Sequence, residues 1–110
     1  MAQFDVHRNT GKQRDAIPYI VVVQSSLFDS YRRRVVIPLV RCNHLDNASS
    51  SPVGAPLNPV FTVEEIEVVL HPLEIVSVAI DQLGEKIATL EQEGDRITAA
   101  MDELLTRAWA

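Results

Sequence analysis

The chain has little with which to build covalent, metal-centred or nucleotide-dependent chemistry. Cys42 is its single cysteine, so no intramolecular disulfide can form, which fits a reducing compartment. Aromatic residues make up only 5% of the 110 residues, so the core must be built mainly from aliphatic side chains. Its four glycines fall into neither G-x-G-x-x-G nor G-x-x-x-x-G-K-[ST], which removes phosphate binding through those loops. His7, His44 and His71 are never four residues apart and join no HExxH or Cys/His cluster, which argues against a metal centre. No run approaches the ~18 apolar residues of a membrane span. The opening MAQFDVHRNT lacks the apolar stretch of a signal peptide. Basic residues are outnumbered, 10 Lys and Arg against 15 Asp and Glu, for a net charge of −5, so a general nucleic-acid binder with a basic surface is not expected. The expectation is a soluble, cytoplasmic protein without a cofactor.

What is present is a 46% apolar chain rich in valine and isoleucine, which favours strands. The length suits one domain over residues 1–110. Phe4 and Val6 alternate with polar neighbours and predict a strand near 3–8. Residues 19–25 (YIVVVQS) predict a central buried strand, and residues 33–39 the returning one, with Pro38 marking an edge, a bulge or a strand end. Residues 41–59, with Asn43, Asp46, Asn47, Gly54 and three prolines, predict a long loop. Ile66, Val68 and Leu70 share one face of a later strand, and Val76, Val78 and Ile80 one face of another. Ile87, Leu90, Ile97, Met101 and Leu104 then recur at helical spacing. Thr89 with Gln92 fits a capping box, placing a helix at about 90–108, with an earlier start near Asp81 as the alternative. Strands followed by one helix predict a β-rich domain with the helix packed on it.

The side chains that carry chemistry form no recognisable constellation. Cys42 and His44 stand two apart in a loop, and catalytic pairs are set by spatial geometry, not by such spacing. Glu64, Glu65, Glu67 and Glu74 are expected on a solvated sheet face. Arg32, Arg33 and Arg34 are expected as exposed charge at a turn. Leu27 and Phe28 have two readings: core beneath the turn, which periodicity favours modestly, or an apolar pair shown to a partner. Trp109, the sole tryptophan, stands next to the last residue, where an indole needs a packing surface and a partner for its N–H. The balance favours a binding protein over an enzyme.

Several segments occur in a familiar order: Gln3 to Val6 (QFDV), Val21 to Val40 (VVVQSSLFDSYRRRVVIPLV), Asn58 to Phe61 (NPVF) and Ser77 to Met101. In this order the chain resembles the CcdB-type toxins of toxin–antitoxin pairs, over nearly its whole length. The most specific element is VQS followed, after a turn, by RRVVIPL. The central loop, longer and richer in serine and proline, and the C-terminal tail depart from the family pattern.

The resemblance implies a fold: a small, partly open antiparallel β-barrel with a small extra sheet and one C-terminal helix. It also implies a homodimer that is not an enzyme. Such proteins bind the A subunit of DNA gyrase and trap the complex in which DNA is cleaved. A CcdA-type antitoxin neutralises them, and the two together repress their operon, so DNA is met only through the antitoxin. The gyrase contact in the family comes largely from a C-terminal Trp-Gly-Ile. Here Trp109 and Ala110 end the chain, and an ungapped alignment puts Thr106 at the family tryptophan position. Three residues are close to one helical turn, so Trp109 can face the same side. By the same resemblance, Ser25 precedes the apolar gyrase-contacting pair Leu27 and Phe28. Leu105 stands for a large apolar residue before the tryptophan, and Asp102 for an asparagine. Two alternatives stay open. One is a CcdB-fold protein that binds antitoxin without poisoning gyrase. The other is an endoribonuclease of related fold, for which His7, His71, Arg34 and the acidic residues yield no convincing acid, base and phosphate-binding set.

Overall fold

The computed structural model describes residues 2–42 and 57–105. Seven strands form one curled antiparallel sheet, a half-barrel: β1 (Asp5–Arg8), β2 (Tyr19–Val22), β3 (Arg33–Arg41), β4 (Val60–Val63), β5 (Ile66–Leu70), β6 (Val76–Ala79) and β7 (Lys86–Thr89). The path runs β4-β5-β3-β2-β1-β7, with β6 paired beside it on β3. Among the described residues one α-helix, α1 (Gly94–Leu105), follows.

β3 is the trunk of this sheet. Along one edge it pairs with β2, Val22 opposite Val36 and Tyr19 opposite Leu39. Along the other it meets β6 through residues 33–36 and β5 through residues 39–41. β3, β5 and β4 continue the same sheet, and in place of a separate small sheet one extra strand, β6, stands beside its path. Pro38, which has no N–H to donate, lies inside the strand at the point where that second edge changes partner, and its carbonyl accepts from the His71 N–H at 3.1 Å. Its place is a junction rather than a strand end.

The core follows the alternation. Val6, Tyr19, Val21, Ile37, Leu39, Phe61, Val63, Val68 and Leu70 point to one side of the curl, and α1 lays Ile97, Ala100 and Met101 on them. Each fully buried Val, Ile or Leu contributes about 1.5–3 kcal/mol over exposure. Arg96 holds the helix to the sheet, with its guanidinium 4.6 Å from the centre of the Phe61 ring and one Nη donating to the Val60 carbonyl at 2.9 Å. Val76 and Val78 do not join this core. Val76 is exposed, and both line an open groove of about 700 Å³ with Ile20, Val36 and Pro38. Ile80, expected beside them, falls in a 3-10 turn.

The helix begins later than its spacing predicts. Residues 86–89 form β7, antiparallel to β1, with Asp5 opposite Thr89. Ile87 therefore belongs to a strand, Leu83 to the loop before it, and a start near Asp81 is ruled out. Thr89 does cap, but as a short local turn: its hydroxyl accepts from the Glu91 N–H at 3.2 Å. A 3-10 turn over Glu91–Glu93 leads into α1. Gly94 is the first residue of α1 and not an interior break. A Cβ there would lie 2.6 Å from the Phe4 ring. Phe4 precedes β1 rather than joining it, and its φ of 72° turns the chain so that the ring covers the helix start.

Candidate partner-binding surface

The return from β2 to β3 is a built turn. Ser25 Oγ accepts from the Leu27 N–H at 3.2 Å and caps a 3-10 turn over Ser26–Phe28. The chain then closes through Phe28 N–H to Ser25 O at 3.0 Å and Tyr31 N–H to Phe28 O at 3.0 Å. The outcome for Leu27 and Phe28 is opposite to what periodicity favours. Leu27 is 86% exposed, Phe28 50% and Tyr31 63%. Phe28 and Tyr31 meet edge to face with ring centres 6.0 Å apart. Such a pair fixes the angle of two rings that have no core to lie in. Local alternation has no term for a turn that leaves its sheet, which is why the core reading fails here.

Two side chains hold this turn from below. The Gln24 amide nitrogen donates to the carbonyls of Phe28 and Arg33, both at 3.2 Å, while its oxygen accepts from the Val35 N–H at 3.1 Å. Arg34 donates to the carbonyls of Asp29, Tyr31 and Arg33, and its guanidinium lies 3.8 Å from the Asp29 carboxylate. Its side chain is only 5% exposed. The arginine run is therefore not uniform surface charge. Arg32 is exposed, Arg33 binds Ser77 on β6, and Arg34 is buried.

The other residues singled out by resemblance lie on α1. Asp102 is exposed, and Leu105, on the last described turn, is 70% exposed. Trp109 and Ala110 lie outside the described residues, as do Thr106 and most of the central loop. The structure thus gathers Ser25, Leu27 and Phe28 on one turn and places Asp102 and Leu105 on a separate element.

Residues considered for chemistry are dispersed. His7 is buried on β1, not on the surface, with Nδ1 2.8 Å from the Gly84 carbonyl oxygen. His71 precedes a 3-10 turn at the end of β5, and Arg34 is occupied on β3. Glu64 and Glu65 form the tight β4–β5 turn with φ of 50° and 67°, and Glu74 lies in the 3-10 turn Pro72–Glu74, so only Glu67 stands on a solvated strand face. Burial, and secondarily Glu67, pushes the Cys42 thiol up, away from the thiolate that a nucleophile needs. His44 is outside the described residues. Among the described residues no three His, Cys, Asp or Glu side chains are placed to hold a metal ion, and no helix is long and apolar enough to cross a membrane.

One polar cluster has no warning in the sequence. Tyr19 Oη donates to Glu64 at 2.7 Å, and Arg8 binds Glu64 at 3.2 Å and Glu85 at 3.4 Å. It ties β1, β2 and the β4–β5 turn together. Burial first, and then the hydrogen bond to Glu64, push the Tyr19 hydroxyl above its ordinary range. Only the pairing of the strands brings these four residues together.

Comparison with protein families places this fold. The family model for the CcdB protein matches residues 3–106. The chain belongs to the CcdB family. It is accordingly a toxin of the CcdB type, the toxin half of a toxin–antitoxin pair. No curated protein matches its sequence. In this CcdB chain the match runs through the exposed Leu27–Phe28 turn and the whole of α1 and stops before Trp109.

Proposed function

We propose that the protein acts as a homodimer that binds the A subunit of DNA gyrase and traps the complex in which DNA is cleaved. It works by occupancy and not by catalysis. A CcdA-type antitoxin neutralises it in the cytoplasm, and toxin and antitoxin together repress their operon. The observation that supports this reading most directly is the Leu27–Phe28 turn. Two large apolar side chains stand in water on a hydrogen-bonded frame, at the positions that the resemblance aligns with the family's gyrase-contacting pair. Exposed apolar groups on a fixed frame suit a partner, since among the described residues no part of the core rests on them. In the dimer, the two copies of Leu105 and Trp109 supply the rest of the contact, brought together about a twofold axis.

The test is a supercoiling and DNA-cleavage assay with purified gyrase. Wild-type protein should accumulate cleaved DNA. Leu27→Ala with Phe28→Ala should weaken binding to the A subunit by about thirtyfold or more, the loss of ~2 kcal/mol typical of a binding hot spot. Trp109→Ala should abolish poisoning while leaving the fold intact. Full poisoning by both variants would reject the proposed contact. Antitoxin binding without any effect on gyrase would favour a non-poisoning member of the family, and cleavage of RNA by protein alone would favour an endoribonuclease.

A further inference from the structure

We infer that Gln24 and Arg34 are positioning residues for the partner-binding turn: they hold Leu27 and Phe28 in the bound geometry before any partner arrives. This rests on the reading of that turn as the gyrase contact. The inference starts from an imbalance in the hydrogen bonds. Within the turn the backbone closes on itself through single bonds from the N–H groups of Phe28, Asp29 and Tyr31, and the Leu27 N–H goes to the Ser25 hydroxyl. The Phe28 carbonyl, which accepts from the Tyr31 N–H, takes a second bond from Gln24, and the carbonyls of Asp29, Tyr31 and Arg33 accept from the side chains of Gln24 and Arg34.

Their chemistry differs in a way that suits the task. Gln24 leaves β2 just before the turn and bonds both ends of it, donating to Phe28 and Arg33 while accepting from Val35 at the root of β3. Only an amide can do this, since it carries donors and an acceptor on one planar group. Arg34 works from beneath. Its fork of donors reaches three carbonyls, and a buried guanidinium that spends its donors on a turn is expensive to keep. Its Nε has no partner among the described residues. An arginine chosen for the stability of the core would be an odd choice, because an apolar side chain of similar size would fill the space without that desolvation. The gain lies in a turn whose shape is fixed in the free protein. Immobilising a flexible turn on binding weakens affinity, and pre-ordering removes that cost.

The measurement combines two readouts on full-length protein: affinity for the purified gyrase A subunit, and amide hydrogen exchange resolved to the turn. Gln24→Ala removes two exposed hydrogen bonds and one part-buried one, outside the hydrophobic core, so it keeps the fold even where Arg34→Lys does not. Gln24→Ala should speed exchange at Phe28, Asp29, Tyr31 and Val35 and weaken gyrase binding about tenfold, with exchange in β1 and β7 unchanged. Arg34→Lys keeps the charge but offers a point donor in place of the fork, and should act in the same direction. Loss of binding by Leu27→Ala with Phe28→Ala, while Gln24→Ala binds as wild type, would overturn the positioning role and leave the contact standing. Wild-type binding by all variants would overturn both. Faster exchange at the turn without weaker binding would show a merely structural role and likewise reject the inference.

Discussion

Tyr19 shows how one hydroxyl sets a limit on stability. It is buried at the ring and donates to Glu64, and its deprotonation is held off by burial and by that carboxylate. The folded protein therefore holds the phenolic proton more tightly than the unfolded chain does. The contribution is fully present below the unfolded value of about 10 and is lost as pH rises through the higher folded value. Tyr19→Phe should cost about 1 kcal/mol at neutral pH, since Glu64 is partly solvated and keeps Arg8. It should also flatten the fall in stability above pH ~10, measured by denaturant unfolding across pH. Equal alkaline slopes for the two proteins would reject this account. At this scale the sequence was legible where a residue answers to its neighbours in the chain. The exposure of Glu67 and of Arg32 followed from local spacing. The burial of Arg34 and His7 and the Tyr19–Glu64–Arg8 cluster did not, because each depends on a strand far away in sequence.

At the scale of elements, the helix start is the instructive case. Ile87 and Leu90 continue the three- and four-residue spacing of α1, so periodicity extends the helix backwards. What decides otherwise is β1, whose outer edge takes residues 86–89 as a strand. A pairing partner eighty residues away leaves no local mark. The same junction gives Gly94 an unusual sign. In an open helix Gly→Ala stabilises by about 1 kcal/mol. Here the new methyl would meet the Phe4 ring at 2.6 Å, so Gly94→Ala should destabilise by roughly 1–3 kcal/mol. Combining it with Phe4→Leu should recover part of the loss, as expected of residues in contact. Thermal unfolding of the two single variants and the double variant checks this. An additive double variant would show that the Phe4 ring is not the obstacle. The β-rich class, the returning strand β3 and the terminal helix were legible because their burial patterns are strong. β7 was not.

For the whole molecule, composition excluded more than it identified, and family membership supplied the rest. The sheet and helix make one frame with apolar groups left at the Leu27–Phe28 turn, at Leu73, Ile75 and Val76, and at Leu105. A protein that displays so much apolar surface should gain stability from its partner. Antitoxin added at one hundred times its Kd should stabilise the toxin by about 2.7 kcal/mol against unfolding. Calorimetry with and without a CcdA-type peptide measures it, and an unshifted Tm under saturating peptide would contradict the pairing. The strand order has a further consequence, for synthesis on the ribosome. β1 leaves first, yet one of its two edges is filled only by β7. Until residues 86–89 emerge, that edge stands open as a template for other chains. A translation product interrupted before those residues is thus a hazard of aggregation. The strand that closes the sheet is followed directly by the helix, so edge and helix are completed together.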